Sequence, residues 1–293
     1  MNWFMTADPA EFLGVAGEFL RAEAARNSVM LTVTADLEAA GPGAGDNADH
    51  GGMLFGWQRA EGGPLTAAFM HTPGYPVMLS AMSEAAAAGL ARDLTAAGRR
   101  VPGINAAQEA ADAFTAAWRD RTGDAVTVHR RMRLFRLARL TPPAPPPAGS
   151  ARPAAGTDRD LLTAWFEAFA REVNDDIPGH DHGADVDNRL GYGGITLWEA
   201  GGAPVSAACL TRAVGGMARI GPVYTPPDLR GRGYAAGATA AVSQAALDAG
   251  VRDVVLYTDL ANPVSNALYE RLGYRAVEDR VVLSFEPPVT LHP

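Results

Sequence analysis

The chain has 293 residues, of which 47% are hydrophobic and 20% charged, a balance typical of a globular protein with room for two domains of ordinary size. Its formal net charge of −8 argues against a nucleic-acid-binding protein, because such proteins present a basic face to phosphates. No apolar run approaches the ~20 residues that a membrane-spanning helix needs, and the N-terminal stretch lacks the pattern of a secretory signal. The single cysteine, Cys209, excludes an internal disulfide, which favours a cytoplasmic location, and its apolar surroundings predict a packing role.

Five prolines stand close together between residues 142 and 147, in the stretch "LARLTPPAPPPAGSARPAAG". Proline continues neither a helix nor a central strand, so such a segment is typical of an extended, semi-rigid spacer. The sequence therefore predicts two domains, 1–140 and 157–293, joined by a Pro/Ala-rich linker at 141–156.

Hydrophobic periodicity and turn residues predict the elements of each domain. In the first domain they indicate, in chain order, a helix at 9–27, a hairpin of strands 53–60 and 64–73, a helix at 83–98, a strand at 101–105, a helix at 110–123 and a strand at 127–140. In the second they indicate a helix at 157–173, a polar loop, strands at 193–200, 203–213 and 218–225, a helix at 232–250, a strand at 253–259, a helix at 262–273 and a strand at 281–287.

Both domains end in the same order: a loop, a helix closed by glycine, a strand, a second helix closed by glycine and a strand. Such a repeat of element order predicts an internal duplication. The two copies differ in the loop, which reads "TPGYPVMLSAMSEA" in the first domain and "VYTPPDLRGRGYAAG" in the second.

The loop of the second domain has the residues of an anion-binding turn. Gly231 and Gly233 let the backbone approach a ligand closely, and the following helix starts with unpaired amides and the positive end of its dipole. Arg230 and Arg232 add positive charge suited to phosphate oxygens, although a plain helix-entry loop with solvated arginines has the same residues. A Walker loop is excluded because the chain contains no lysine, and the three-glycine dinucleotide fingerprint is missing.

Arg230, Gly233 and Ala235 form the pattern R-x-x-G-x-A, which is followed by "VLYTDLANPVSNALYERLGYRAV". Together these segments resemble the GNAT superfamily of acetyl-CoA-dependent N-acyltransferases, closely over about 220–280 and by element order over 158–219. The resemblance implies an α/β (α+β) fold of two tandem GNAT-like units, each with a mixed, mostly antiparallel central sheet flanked by helices. It also implies that 157–293 is the catalytic acetyl-CoA-binding unit, whereas 1–140 is a degenerate unit without the phosphate loop.

The same resemblance implies which residues bind the co-substrate. The strand end would offer backbone groups to the pantetheine arm through Val223, Tyr224 and Thr225. The pyrophosphate would be held by the loop and first helical turn, consisting of Arg230, Gly231, Arg232, Gly233, Tyr234, Ala235 and Ala236. Asn262 would contact the cofactor arm, and Ser265 and Asn266 would either do the same or cap the next helix.

Two roles in the chemistry follow from the family reaction, in which an amine attacks the thioester directly. Tyr269 would protonate the departing coenzyme A thiolate, with a core aromatic as the alternative reading. The strand 218–225 has no glutamate where many relatives keep a general base. Candidate bases, each with a solvated surface role as the alternative, are Glu167 and Glu172, or on the adjoining loop Asp175, Asp176, His180, Asp181 and His182. The pair of histidines shows no third ligand, so the sequence predicts no metal.

We therefore expect an N-acetyltransferase that moves acetyl from acetyl-CoA to a primary amine of a small molecule within a ternary complex. The expected partners are the amine acceptor and acetyl-CoA as co-substrate, with no metal, nucleic acid or membrane, in a monomer or homodimer. Two alternatives remain: a non-catalytic acyl-CoA-binding sensor or partner-docking protein, and an acetyltransferase that acts on a protein amine.

Overall fold

The computed structural model describes residues 3–40, 52–174 and 179–287. By its internal contacts the chain forms two compact units. The first unit comprises Met1–Leu134, Asp259–Ala261 and Val277–Pro293, and the second comprises Phe135–Thr258 and Asn262–Ala276. Among the described residues, no helix has the length and apolar character needed to cross a lipid bilayer.

Over its described residues, the first unit is a mixed sheet with four helices. Its elements are β1 (Trp3–Thr6), α1 (Pro9–Ala22), α2 (Ser28–Ala40), β2 (Leu54–Arg59), β3 (Leu65–His71), β4 (Val77–Leu79), α3 (Glu84–Ala96), β5 (Gly103–Ala106), α4 (Gln108–Thr122), most of β6 (Ala125–Leu137) and most of β12 (Tyr274–Glu286). Neighbouring strands from β1 to β5 pair in sequence order, and β5 pairs with β12. All of these ladders are antiparallel except that between β4 and β5.

The second unit repeats this arrangement. Its elements are β7 (Ser150–Pro153), α5 (Arg159–Glu172), α6 (His182–Gly191), β8 (Ile195–Ala200), β9 (Ala203–Leu210), β10 (Met217–Tyr224), α7 (Tyr234–Asp248), β11 (Asp253–Asp259), α8 (Pro263–Arg271) and the start of β12. Strands β7 to β10 pair antiparallel in turn, whereas β10 and β11 are parallel. The predicted fold class, two tandem units with mixed and mostly antiparallel sheets flanked by helices, is confirmed.

Helix α7 packs unusually close to its sheet at its N-terminal end. A Cβ atom on Gly237 would lie 2.9 Å from the ring of Trp198 and 2.9 Å from Pro147, so only glycine fits there. Further along, Ala238, Val242 and Ala246 bury their side chains in the core of the second unit. The small residues of this helix thus fix its first turn against the sheet.

The proline-rich segment is part of the second unit rather than a separate spacer. Ser150–Pro153 forms the edge strand β7, which pairs with β8, and Trp198 Nε1 donates to the carbonyl of Ala148 at 2.9 Å. An edge strand needs hydrogen bonds on one side only, which is why proline is tolerated there. The proline-rich composition indicated an extended chain. It did not indicate that this chain pairs with β8 and so belongs to the second unit.

The last strand also departs from the predicted domain boundary. It starts at Tyr274, well before the predicted residue 281, and from Val277 onward it belongs to the first unit. There Val281–Ser284 pair antiparallel with Gly103–Ala106 of β5. Strand pairing is decided by long-range contacts, so the order of elements along the chain did not predict this exchange.

Cys209 lies in β9 and is fully buried among apolar side chains of the second unit. Burial disfavours the charged thiolate and raises the pKa of the thiol to about 12. A thiol in this state is unreactive, in agreement with the predicted packing role.

Candidate functional site

Strand β10 leaves its parallel partner β11 before its own end, while its pairing with β9 continues. Its parallel ladder with β11 runs from Met217 to Ile220, whereas its antiparallel ladder with β9 continues to Tyr224 beyond a bulge. The carboxyl ends of the two parallel strands therefore lie beyond their shared ladder. Ligands bind preferentially at such a point in α/β sheets, outside the carboxyl ends of diverging strands.

The loop after β10 leads into α7 through two glycines in the left-handed region. Gly231 has φ of +77° and Gly233, the N-cap of α7, has φ of +82°. Gly233 offers no side chain to cap the helix, and the first turn carries no acidic residue. The helical bonds begin with the amide of Gly237 donating to the carbonyl of Gly233. The amides of the first turn are therefore oriented to receive an anion.

Arg230 fastens this loop to the end of β10 and to α5. Its Nε donates to the carbonyl of Thr225 at 2.9 Å, and its Nη2 donates to both carboxylate oxygens of Glu172 at 2.7 Å. The guanidinium also lies 5.9 Å from the centre of the Tyr224 ring. Four residues that the sequence analysis singled out for different roles are thus brought together at one place.

Arg232 lies on the outer side of the same turn. Its guanidinium is exposed and donates to the carbonyl of Asp228 at 3.3 Å. That contact is within the loop itself, so Arg232 keeps most of its donors directed to solvent, as a phosphate-binding arginine needs.

The backbone at the end of β10 is already partly hydrogen-bonded. Ser206 Oγ donates to the carbonyl of Tyr224 at 2.9 Å and lies 2.8 Å from the hydroxyl of Thr225. Together with the Arg230 bond to Thr225, this uses the carbonyls of both residues. Their predicted contact with a pantetheine arm would therefore involve the remaining backbone groups of Val223, Tyr224 and Thr225.

The ring of Tyr224 forms one wall beside this strand end. It lies 5.9 Å from the ring of Trp165, centre to centre, and only 8% of the residue is exposed. Burial raises the pKa of the Tyr224 hydroxyl, and the nearby Glu172 carboxylate raises it further while Arg230 opposes both. The hydroxyl therefore remains protonated at neutral pH. Trp165 of α5 is a neighbour of the candidate site that the sequence analysis did not single out.

The start of α8 uses its polar side chains to hold the backbone. Asn262 is the N-cap, and its side chain accepts from the amide of Ser265 at 3.0 Å. Asn266 donates to the carbonyl of Asn262 at 2.8 Å and accepts from the hydroxyl of Thr258. The cap is thus Asn262, for which a cofactor contact was predicted, and not Ser265 or Asn266, and these bonds connect α8 to the end of β11.

Tyr269 lies on α8 and is buried within the core of the second unit. Its ring contacts that of Tyr274 edge to face, with 6.0 Å between centres. Burial raises the pKa of its hydroxyl to about 12. A phenol in this environment keeps its proton at neutral pH, which a general acid requires and which a core aromatic also shows.

The two glutamates of α5 are placed differently. Glu172 has both oxygens bound by Arg230, whereas Glu167 is exposed and its nearest cation is Arg171 at 3.8 Å, one turn along the same helix. Only Glu172 contacts the loop. A carboxylate held in this way serves better to position Arg230 than to accept a proton from an amine.

The loop before α6 supplies the other candidate bases. Asp175 and Asp176 lie outside the described residues. Asp181 is the N-cap of α6 and accepts from the amide of Ala184 at 3.0 Å. His180 Nε2 lies 2.8 Å from Asp185 Oδ2, and the rings of His180 and His182 are in contact. The structure therefore adds an acidic side chain, Asp185, to the two histidines, a residue that the sequence analysis did not single out.

Comparisons with known proteins identify a family match and similar folds. Residues 159–274 match the acetyltransferase (GNAT) family. Among solved structures, the chain is similar to a GCN5-related N-acetyltransferase from Sphaerobacter thermophilus, with 18% identity, a TM-score of 0.63 and coverage of 98% of this chain and 96% of that chain. It is also similar to a GNAT-family acetyltransferase from Colwellia psychrerythraea, with 11% identity, a TM-score of 0.59 and coverage of 98% and 100%.

A third similar structure is a tandem GNAT protein from the clavulanic acid biosynthesis pathway, with 16% identity, a TM-score of 0.59 and coverage of 98% of both chains. At these identities the similarity concerns the fold. A comparison with curated protein sequences gave no match. Apart from Asp259–Ala261, the family match falls within the unit that carries the glycine loop, and the fold similarity extends over both units. Residues 159–274 therefore form an acetyltransferase domain of the GNAT family.

Proposed function

We propose that the second unit transfers the acetyl group of acetyl-CoA to a primary amine of a small molecule. The observation that carries this proposal is the start of α7. There, two glycines with positive φ precede a helix without a capping side chain, at the end of a strand that has left its parallel partner. This combination suits a pyrophosphate with an extended arm lying along the strand.

In the proposed complex, the amides of Gly231, Gly233 and the first turn of α7 bind the pyrophosphate oxygens. Arg232 adds charge from the solvent side, and Arg230 keeps the loop attached to Thr225. The arm then follows the end of β10, where the remaining backbone groups of Val223 and its neighbours pair with it as an added strand would. The thioester is thereby brought between the ends of β10 and β11.

The chemistry joins the amine nitrogen to the thioester carbonyl carbon and breaks the carbon–sulfur bond. An alkylamine with a pKa near ~10 must first lose a proton before its lone pair can attack. The departing thiolate needs a proton or a hydrogen bond, which Tyr269 supplies in this proposal. Its raised pKa keeps the hydroxyl protonated until that step.

Glu172 is proposed as a positioning residue and not as the base. Both of its oxygens bind Arg230, which in turn binds Thr225 at the strand end. The proton of the amine would then pass to water, so turnover would rise with pH towards the pKa of the amine.

The proposal is tested by calorimetric titration of the full chain with acetyl-CoA and its dephospho analogue, followed by an amine panel assayed for coenzyme A release. We expect one binding site per chain and turnover with at least one small amine. Absence of acetyl-CoA binding would refute the proposed pyrophosphate site at the start of α7. Binding without turnover on any amine would favour the sensor alternative.

Tyr269→Phe provides the sharper test of mechanism. The variant should bind acetyl-CoA with unchanged affinity and lower kcat by roughly 10- to 10⁴-fold, the range of general acid catalysis. Tyr75→Phe is the matched control, because Tyr75 lies exposed in the first unit. Full activity of Tyr269→Phe would assign the acid to another group.

A further inference from the structure

We propose that His180, His182 and Asp185 form a binding site for a divalent transition-metal ion, with zinc as the best fit. The site lies at the start of α6 and is separate from the loop assigned to acetyl-CoA. The sequence motif "HDHGAD" offers two histidines with one residue between them, and folding of α6 brings Asp185 to them.

The local backbone explains why these three side chains converge. Asp181 caps α6, so the chain turns sharply between His180 and His182. His182 and Asp185 are three residues apart on the helix and therefore lie on the same face. His180, just before the cap, folds back over that face until its Nε2 is 2.8 Å from Asp185 Oδ2.

The distances are close to those of a coordination shell. One donor atom from each of the three residues lies within 4.8 Å of the other two. A tetrahedral zinc ion with bonds of about 2.0–2.1 Å places its ligand atoms about 3.3 Å apart. Small side-chain rotations are therefore sufficient to bring all three donors onto one ion.

The donor chemistry selects the class of metal. Two imidazoles and one carboxylate suit zinc and its first-row neighbours, whereas calcium and magnesium prefer oxygen ligands alone. Three protein ligands leave a fourth position for water, and His180 is exposed, so an ion can reach the site from solvent.

A neighbouring cation orients the carboxylate without occupying the donor oxygen. Arg189 lies 3.9 Å from Asp185 Oδ1, the oxygen that does not face His180, and also donates to the backbone carbonyl of Asp185. Such outer contacts fix the orientation of metal-binding carboxylates. The positive charge of Arg189 will weaken the attraction for a divalent cation, so we expect a site of moderate affinity.

The test is a titration of the tag-free, chelator-treated full chain with Co²⁺, followed by the visible absorption of the tetrahedral ion, and then displacement by Zn²⁺. We expect one equivalent per chain, with His180→Ala and Asp185→Asn each weakening binding by tenfold or more. His129→Ala is the matched control, since His129 is an exposed histidine of β6 that is remote in sequence from the site. The affinity of this variant for Co²⁺ should equal that of the wild type.

Circular dichroism of each variant checks that the fold is retained; His180 is exposed, so its removal leaves the core intact. The proposal is overturned if the wild-type chain binds no Co²⁺ at concentrations on the order of 100 µM. It is equally overturned if His180→Ala binds the ion as tightly as the wild type does. Neither outcome depends on acetyl-CoA binding, which is measured separately.

Discussion

Helices α3 and α7 both follow the first strand of a parallel pair, one in each unit, yet they begin in opposite ways. Helix α3 is capped by its own Ser83, whose hydroxyl accepts from the amide of Ala86 at 3.2 Å, and its first residue is Glu84. Helix α7 is preceded by Gly233, without a capping side chain or an acidic first turn. An anion at α3 would compete with the cap and meet a negative charge, whereas α7 leaves its amides for a ligand.

The ends of the two parallel strand pairs also differ, because, among the described residues, only in the first unit does a buried arginine bond the backbone there. In the first unit the guanidinium of Arg280 donates to the carbonyl of Leu79 at 2.7 Å, at the end of β4, and to the carbonyl of Asn105 at 2.8 Å, on β5. It also bonds Glu278, which in turn pairs with Arg26. Arg280 is only 3% exposed, so one of the unit's own side chains occupies this position.

This difference shows two ways in which units of similar fold treat the start of a helix and the ends of a parallel strand pair. In the first unit, Ser83 accepts a hydrogen bond from an amide at the start of α3, and Arg280 donates to carbonyls of β4 and β5. These backbone groups are then no longer available to a ligand. In the first unit the chain's own side chains therefore bond these groups, whereas in the second unit the corresponding amides of α7 have no capping side chain. The following predictions test this comparison, from the largest expected effect to the smallest.

Arg280→Met should destabilise the first unit by about 3 kcal/mol. The change leaves the Glu278 carboxylate buried with one partner fewer and the two backbone carbonyls without their donor. Chemical denaturation measures the loss, and Arg275→Met, an exposed arginine on the same strand, is the control. A loss below about 1 kcal/mol would show that Arg280 is not needed to close the strand ends.

Gly233→Val should weaken acetyl-CoA binding more than a hundredfold, about 2.7 kcal/mol. Valine is strained at φ of +82°, so the loop must move to accept it, whereas its Cβ would make only an ordinary contact of 3.4 Å with Pro147. Gly98→Val is the matched control, since Gly98 has φ of +66° in the first unit with open space around it. Calorimetry that still found one tight site in the Gly233 variant would show that this loop does not bind the ligand, and the comparison would lose its basis.

The first unit should lose stability as pH falls below about 6.5, because of His71. Burial, aided by the charge of Arg99, lowers the pKa of His71 to about 4, and the unfolded chain therefore takes up the proton first. Among the described residues, neither ring nitrogen of His71 has a hydrogen-bond partner. The expected loss between pH 7 and pH 4 is about 3 kcal/mol. His71→Met should lose less stability than the wild type over this pH range when both are denatured chemically at a series of pH values. An identical pH dependence of the free energy of unfolding in the two proteins would contradict the prediction.

Glu172→Gln should raise KM for acetyl-CoA about fivefold with little change in kcat. The pair with Arg230 is partly exposed, and such pairs contribute at most about 1 kcal/mol. Glu167→Gln, on the same helix but without a contact to the loop, is the control. If kcat instead fell a hundredfold at unchanged KM, Glu172 would be the general base that the sequence analysis considered.

Much of the second unit could be predicted because local patterns and long-range contacts agree there. Strand β11 occupies the predicted residues 253–259, and α7 begins and ends within two residues of its glycines, since apolar runs and glycine stops act locally. Helix α6 was missed because its polar start reads as a loop. Its N-cap, Asp181, is recognisable only once Val186 is known to be buried.

The site was predicted in outline, as a glycine loop ahead of a helix, but its contacts were not. The bond from Arg230 to Glu172 joins residues 58 positions apart, and that from Arg280 to Leu79 joins residues 201 apart. Nothing in the local sequence of either partner indicates the other. The assignment of the last strand to the second domain failed for the same reason, since its partner β5 lies far earlier in the chain.

The burial of Cys209 has a practical consequence for assays. The only cysteine of the chain is sealed in β9 with a thiol pKa of about 12, so the folded protein should be silent towards thiol-reactive dyes. Coenzyme A released by turnover would then be the sole reactive thiol in the mixture. A cysteine introduced at any exposed position would likewise be labelled alone, which makes the native chain a ready background for attaching a single fluorophore or spin label.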